Sequence, residues 1–467
     1  MTILRQAVAC FAYSLSVFVI SILPESRAAY AQADKTEKAA TQSGGKNNSP
    51  GWLFEGFARL GYKLRYTREY SDSTEEDQDI RGILSLSLRD REKKPKHSIN
   101  LLGSFNIDTD GSPGGGTGPF RDANSSYRSS ANAMLYSAYV ESSFSKTRLF
   151  IGRQSVYRGE SLDFDGIRAE HRAGKNLNLS LYGGIPSNFW ESSPESDHFG
   201  GGGVEVGIPK KYSLRTDYIH IRDKKTYEPG KPAAKDNLII ISGKYRRFKP
   251  LDIYCLYSTV NGNERRALFR AKWIDKKNRL LINASVIRQH VMLADYSTEI
   301  SPFVFVLAEY SPYYRYKLMM LKGLGSRFEI EAGADLRSLI ESDDEGMLNH
   351  SYERYYAGVH FKKLLKKKLD LTLMAEKWNT LSGNHITAIE GLAKLYAGRK
   401  LIFRIGSDFS KYIYDYNFDE ERENVYSAFA RADYKVSRTS TIRFKYSFNR
   451  DDREDYNLFE LSLILKW

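Results

Sequence analysis

The chain has 467 residues, a formal charge of +13 and 13% aromatic residues, 32 of them tyrosine. Its mean hydropathy of −0.49 excludes a helical membrane protein, because each helical span needs about 20 apolar residues in a row. A membrane-spanning barrel is not excluded, because only alternate residues of its strands meet lipid.

In chain order, the first expected element is an export signal. Arg5 supplies a positive start, Ala7 to Leu23 is an apolar run ending at Pro24, and Ala29-Tyr30-Ala31 is a small-x-small cleavage site. The run is short for an anchor helix, and Cys10 lies too early and lacks the preceding Leu of a lipoprotein signal. Residues 1–31 are therefore expected to be a signal peptide. Residues 32–51, rich in Lys, Ser, Gly, Asn and Ala, are expected to be a disordered periplasmic tail. Cys255 is then the one cysteine of the mature chain, so no intrachain disulfide can form. No Cys/His cluster has metal-ligand spacing and no Cys-x-x-Cys-His haem site is present, so no cofactor is expected.

From Trp52 to the end, stretches of about ten residues alternate apolar and polar, a period that puts the two sets on opposite faces of a strand. Phe54, Ala58, Leu60, Tyr62, Leu64 and Tyr66 oppose Glu55, Arg59, Lys63 and Arg65. Ala267, Phe269, Ala271 and Trp273 oppose Arg266, Arg270 and Lys272, and Phe328 to Leu336 oppose Glu329 to Arg337. Short basic turns such as Arg91–His97, Asp275–Asn278 and Lys362–Lys368 alternate with mostly longer loops such as Gly111–Ser130, Arg222–Asn237 and Lys411–Glu423. Short periplasmic turns and long outer loops have that asymmetry. The expected fold is all-β: one transmembrane antiparallel barrel over residues 52–467, with an even strand number between 18 and 22. The ambiguous region is Ala294 to Gly325, where Ser301–Tyr310 and Tyr313–Leu321 could be one down-strand, part of a loop or a short helix.

The chain closes on Phe459, Leu461, Leu463, Leu465 and Trp467 in alternation. This end resembles the terminal strand of outer-membrane barrels, which implies recognition by the barrel-assembly machinery; the usual last residue there is Phe. Trp467 also suits the aromatic belt at a membrane interface.

Strand parity puts Arg59, Lys63, Arg65, Arg168, Lys244, Arg266, Arg270, Lys272, Arg337, Arg404, Arg431, Lys435, Arg443 and Lys445 inside. Carboxylates such as Glu329, Glu331, Asp335, Glu390, Asp408 and Asp433 share that side. Such groups either pair across strands and stiffen the wall or line a path for anions, which guanidinium forks bind in a bidentate way. A third class, an outer-membrane hydrolase, needs a converging His, Ser and orienting polar group. The eight histidines offer no such set by spacing, so the chain is not expected to be an enzyme. Nucleic acid is not an expected partner.

Gly152-Arg153-Gln154 followed by Asp163-Phe164-Asp165-Gly166-Ile167-Arg168 resembles the alginate-export porin family. That resemblance implies an 18-stranded barrel passing an anionic polysaccharide through an arginine-rich lumen. It also implies periplasmic export components as partners, and Arg153 and Arg168 at the lumen. Parity agrees for Arg168, whereas Arg153 shares the face of Leu149 and Ile151. The alternative is a barrel that sheathes a periplasmic partner such as a multihaem cytochrome.

Overall fold

The computed structural model describes residues 52–467 except 70–73, 92–95, 110–130, 158–160, 188–196, 209–210, 224–233, 249, 291–311, 342–350, 381–384, 416–419 and 451–453. The expected signal peptide and tail lie outside the described residues.

Twenty-two strands form one sheet. In chain order the first eleven are β1 (Trp52–Glu69), β2 (Thr74–Asp90), β3 (His97–Asp108), β4 (Ala131–Phe144), β5 (Thr147–Tyr157), β6 (Ser161–Arg172), β7 (Leu177–Pro186), β8 (His198–Ile208), β9 (Tyr212–Asp223), β10 (Ala234–Tyr245) and β11 (Leu251–Val260). They are followed by β12 (Asn263–Asp275), β13 (Leu280–Gln289), β14 (Tyr313–Leu324), β15 (Phe328–Leu339), β16 (Tyr352–Lys363), β17 (Leu369–Thr380), β18 (His385–Ala397), β19 (Leu401–Asp415), β20 (Glu420–Lys435), β21 (Ser440–Arg450) and β22 (Glu454–Lys466). Each strand pairs antiparallel with its chain neighbours, and β22 pairs with β1, so no edge is left open. Closure satisfies the backbone groups that an open edge would leave unpaired in lipid.

The closing strand ends as its alternation requires. Gly56 N–H donates to the Trp467 carbonyl at 2.9 Å, and Trp467 N–H donates back at 3.1 Å. The Trp467 ring stacks on Phe54 at 5.9 Å.

The register carries one face continuously around the barrel. Ile151 stands opposite Ile167, Ala169 opposite Leu181, and Ile405 opposite Ala430, which stands opposite Tyr446. Ile151, Ile167, Leu181, Leu214, Ile405 and Phe444 are all exposed. Large apolar side chains left open on one face of a closed barrel make sense against lipid, where burial costs no water exposure. The other face carries the ion pairs and is the lumen.

Two expectations change, one ambiguity is resolved and one connection departs from the loop pattern. The 18 strands implied by the family resemblance give way to 22. Tyr313–Leu321 belongs to one strand, β14, with Tyr316, Leu318 and Met320 exposed on one face and Arg315 and Lys317 meeting Asp335 on the other; Ser301–Tyr310 lies outside the described residues. The loop expected over Lys411–Glu423 is mostly strand. Tyr412 pairs with Glu423 and Tyr414 with Glu421, as the β preference of Tyr412, Ile413 and Tyr414 favours. Finally, Asn261-Gly262 forms a tight connection at the long-loop end, with φ of 50° and 85°, the positive values that Asn-Gly hairpins supply.

At the opposite end the turn after β16 is a short helix, α1 (Leu364–Lys367), in which Leu365 and Lys366 take left-handed angles. Asp275, beyond Trp273 at the short-turn end of β12, accepts from the backbone N–H of Asn278 at 3.0 Å and from its side chain at 2.6 Å. These bonds, the backbone one foremost, hold its carboxyl below the ordinary carboxylate range.

The inner face is not uniformly polar. Val156, Leu162, Phe164, Tyr182, Phe199, Ile219, Ile221, Leu238, Ile240, Leu256, Val260 and Leu268 form one buried cluster on the inner side of β5–β12. Phe164 and Phe199 meet edge to face at 4.6 Å. At about 1.5–3 kcal/mol per buried large apolar side chain, this patch stabilises one wall. Gly201 and Gly203 of the adjoining glycine run make room beside it. A Cβ on Gly201 would lie 2.5 Å from the Tyr182 ring, and one on Gly203 would lie 2.1 Å from Asp217 Oδ1.

Candidate functional site

The lumen wall opposite the apolar patch is a charged lattice built by register. On β1 and β2, Lys63 stands opposite Asp79 and Arg65 opposite Asp77. Lys63 Nζ is 3.9 Å from Asp79, whose carboxylate also accepts from Arg81 at 2.9 Å; Arg65 is ion-paired with Asp77. Across the closing seam Arg59 donates to Ser462 Oγ at 3.3 Å and lies 3.9 Å from Glu460, which is also 3.8 Å from Lys445.

The densest positive region follows on β18–β21. Lys394 is directly opposite Arg404, Arg404 opposite Arg431, and Arg431 opposite Lys445. Four cations thus occupy one cross-strand row, a placement that destabilises a sheet unless anions compensate. Asp433, buried in this wall, takes three of the nearby guanidinium groups. Arg443 Nε donates to it at 2.6 Å, Arg431 Nε at 3.1 Å, and Arg404 is also in contact. Glu460 serves Lys445, while Lys394 rests over the Tyr396 ring at 4.7 Å. Arg404, Arg431 and Arg443 therefore share Asp433, Lys445 has Glu460, and Lys394 stands directly opposite Asp370, so five cations meet three carboxylates. Nearer the long-loop end of the same wall, Glu390 and Asp408 face each other.

On β12, the alternation of Arg266, Arg270 and Lys272 puts all three on the inner face, Arg270 opposite Tyr254 and Lys272 opposite Asp252. Asp252 is taken by Arg246 at 2.8 Å. Among the described residues, no hydrogen bond or ion pair engages Arg266, Arg270 or Lys272. Lys244 lies 5.8 Å from the Tyr254 ring. Arg337 stacks over Tyr313 at 4.4 Å. Arg168 faces the lumen as parity requires, its guanidinium 3.7 Å over the Phe150 ring and 3.9 Å from Glu170. Lys435 lies inside, one residue from the Asp433 face position's neighbour Tyr434.

Arg153 is placed otherwise than the family resemblance implies. It stands opposite Asp165 on the face of Ile151 and Ile167, outside the lumen, and donates to the Asp165 carboxylate at 2.8 and 2.6 Å. Lys394, absent from the residues singled out in the sequence, joins the row only through the pairing of β18 with β19. A cavity of about 1250 Å³ opens at the short-turn mouth among Arg148, Glu170, Arg172, Glu205 and Arg215. There Arg148 pairs with Glu170 at 2.5 Å and Arg215 with Asp217 at 2.7 Å. Among the described residues no three His, Cys, Asp or Glu side chains converge to hold a metal ion.

Comparison with known proteins gives no matching family model and no matching curated relative. Among solved structures, the chain is similar to the translocation pore of the P pilus usher PapC, at TM-score 0.49 and 9% identity over 89% of this chain and 99% of that one. It is similar to OccAB3 of Acinetobacter baumannii at TM-score 0.44 and 11% identity, over 89% and 99%. For OpdO of Pseudomonas aeruginosa the values are 0.42 and 11%, over 89% and 98%.

A closed antiparallel barrel with a continuous apolar outer face and a charged lumen is a membrane-spanning barrel, one of the two backbone solutions that lipid permits. Barrels of this single-chain, even-stranded type belong to the outer membrane, and that is where the chain resides.

Proposed function

We propose that the protein is a passive outer-membrane channel that prefers anions and does no catalysis. The observation that carries this reading is the trio Arg266, Arg270 and Lys272, inward and without a charge partner among the described residues. A wall cation that served only to stiffen the barrel would be neutralised across the strand, as Arg315 is by Asp335 at 2.8 Å. An unneutralised cation on the wall of a pore draws anions into it. The row Lys394–Arg404–Arg431–Lys445 adds to the same surplus. An anionic saccharide or a longer anionic polysaccharide fits this chemistry, with periplasmic export components supplying it in the second case.

The test is reversal potential in planar bilayers under a salt gradient. The wild type should favour anions, and Arg266→Glu with Arg270→Glu should shift the potential toward cation preference. A folded double variant with unmoved selectivity removes the reading. A wild-type barrel without conductance removes it too, and favours a sheath around a periplasmic partner.

A further inference from the structure

The lipid-facing side of β8, β9 and β10 carries a second basic row, at the long-loop end. His198 stands directly opposite Arg222, and Arg222 directly opposite Lys235. The face is fixed by the alternation of β9. Ile219 and Ile221 are buried in the lumen-side cluster, whereas Leu214 and Tyr218, on the parity of Arg222, are exposed outward. Tyr212, exposed at the short-turn end of the strand, marks the other interface as an interfacial aromatic does. Arg222 lies ten residues past Tyr212, about 34 Å further along the strand and about 25 Å higher at the usual strand tilt, the height of the apolar band. That is the depth of lipid head groups.

Two other cations of the outer face are neutralised by the protein itself. Arg153 has Asp165 in a two-pronged pair at 2.8 and 2.6 Å. Arg288 has Glu264 at 3.8 Å and the Tyr314 ring at 5.5 Å. Arg222 has neither. Its Nε is enclosed and lacks a hydrogen-bond partner among the described residues. The neighbouring His220 is already engaged by Asn237 at 2.9 Å.

We propose that Arg222, with Lys235 and His198 beside it, holds a phosphate of a phosphorylated glycolipid in the leaflet that the long loops face. The planar guanidinium offers two parallel N–H donors to phosphate oxygens, Lys235 adds a second positive charge, and His198 adds a ring N–H. The phosphate thereby compensates Arg222, for which the wall offers no carboxylate among the described residues. Acyl chains attached to the head group lie along Leu214 and the exposed Val204, Val206 and Ile239 of the same three strands. The site is on the opposite side of the wall from the anion path and stands independently of it.

The full-length mature barrel, refolded in zwitterionic detergent, is titrated with diphosphoryl lipid A and bound lipid is counted by native mass spectrometry. Arg222→Gln with Lys235→Gln should bind about thirtyfold more weakly, on the scale of one surface cation per phosphate contact. Arg222→Lys, which keeps charge and loses the fork, should fall between and serves if the double variant does not fold. Arg153→Gln should bind as the wild type does. Reversal potential should be unmoved in all of them. Equal retention by wild type and both Arg222 variants overturns the proposal. So does phosphatidylglycerol binding as tightly as lipid A, which would make the row a general anionic-lipid contact. Competition by millimolar inorganic phosphate would show a free-anion site and overturns it as well.

Discussion

Asp433 is the point at which the basic row can be tested as an energetic object. Replacing it with Asn removes the one carboxylate that Arg404, Arg431 and Arg443 share. Removing one partner of a buried charge cluster costs about 3–5 kcal/mol, so Asp433→Asn should lower the barrel's unfolding free energy by that amount. Arg431→Gln is expected to behave differently. It forfeits an attraction of about 4 kcal/mol, taking charges about 4 Å apart at an effective dielectric of 20. It also relieves repulsion from Arg404 and Lys445, directly opposite on either side, at about 3 kcal/mol each for charges about 6 Å apart. The relief exceeds the loss by about 2 kcal/mol before solvent screening, so Arg431→Gln should leave the barrel as stable as the wild type or slightly more stable. The assay is urea unfolding of the barrel in lipid vesicles, followed by tryptophan fluorescence and by heat-modifiable gel mobility. High salt should shrink the penalty of Asp433→Asn by screening the cations left behind. If Arg431→Gln destabilises as much as Asp433→Asn, the row is an ordinary paired wall and carries no surplus charge.

Deleting Trp467 should reduce the heat-modifiable protein recovered from the outer membrane, because it removes both backbone bonds to Gly56 and the stacking on Phe54; undiminished recovery would show that these closing contacts are dispensable. Gly203→Ala should cost about 1–3 kcal/mol of stability, because its Cβ would meet Asp217 at 2.1 Å and displace the Arg215 pair; an unchanged urea midpoint would refute the crowding. Cysteine labels at positions 115 and 366 should react oppositely on intact cells, the first accessible and the second, in α1 at the short-turn end, protected; equal labelling would reverse or abolish the assigned orientation.

The alternation of residues such as Phe328–Leu336 against Glu329–Arg337 was legible because a strand's period is two and lipid demands one apolar face. Which cations share a row was not legible. Lys394, Arg404, Arg431 and Lys445 lie in four strands, and a register slip of one residue would separate them. The buried lumen patch had a signal that parity alone misreads. Leu238-Ile239-Ile240-Ile241 is apolar on both faces, as a strand covered on both sides requires. Arg153 was misplaced by the family resemblance, whereas its own parity with Ile151 was right.

All pairings but β1–β22 join chain neighbours, so the barrel is a string of hairpins closed by one seam that runs from Gly56 and Trp467 to Glu69 and Glu454. Such a string can be lengthened or shortened by whole hairpins, which widens or narrows the ring by two strands while every remaining register stays as it was. It can equally be reopened at another tight turn, such as the one carrying Ser145 at φ 52°, with the present ends joined by a short peptide. The circumference of the pore and the location of its ends are therefore separable from the charge rows that line it.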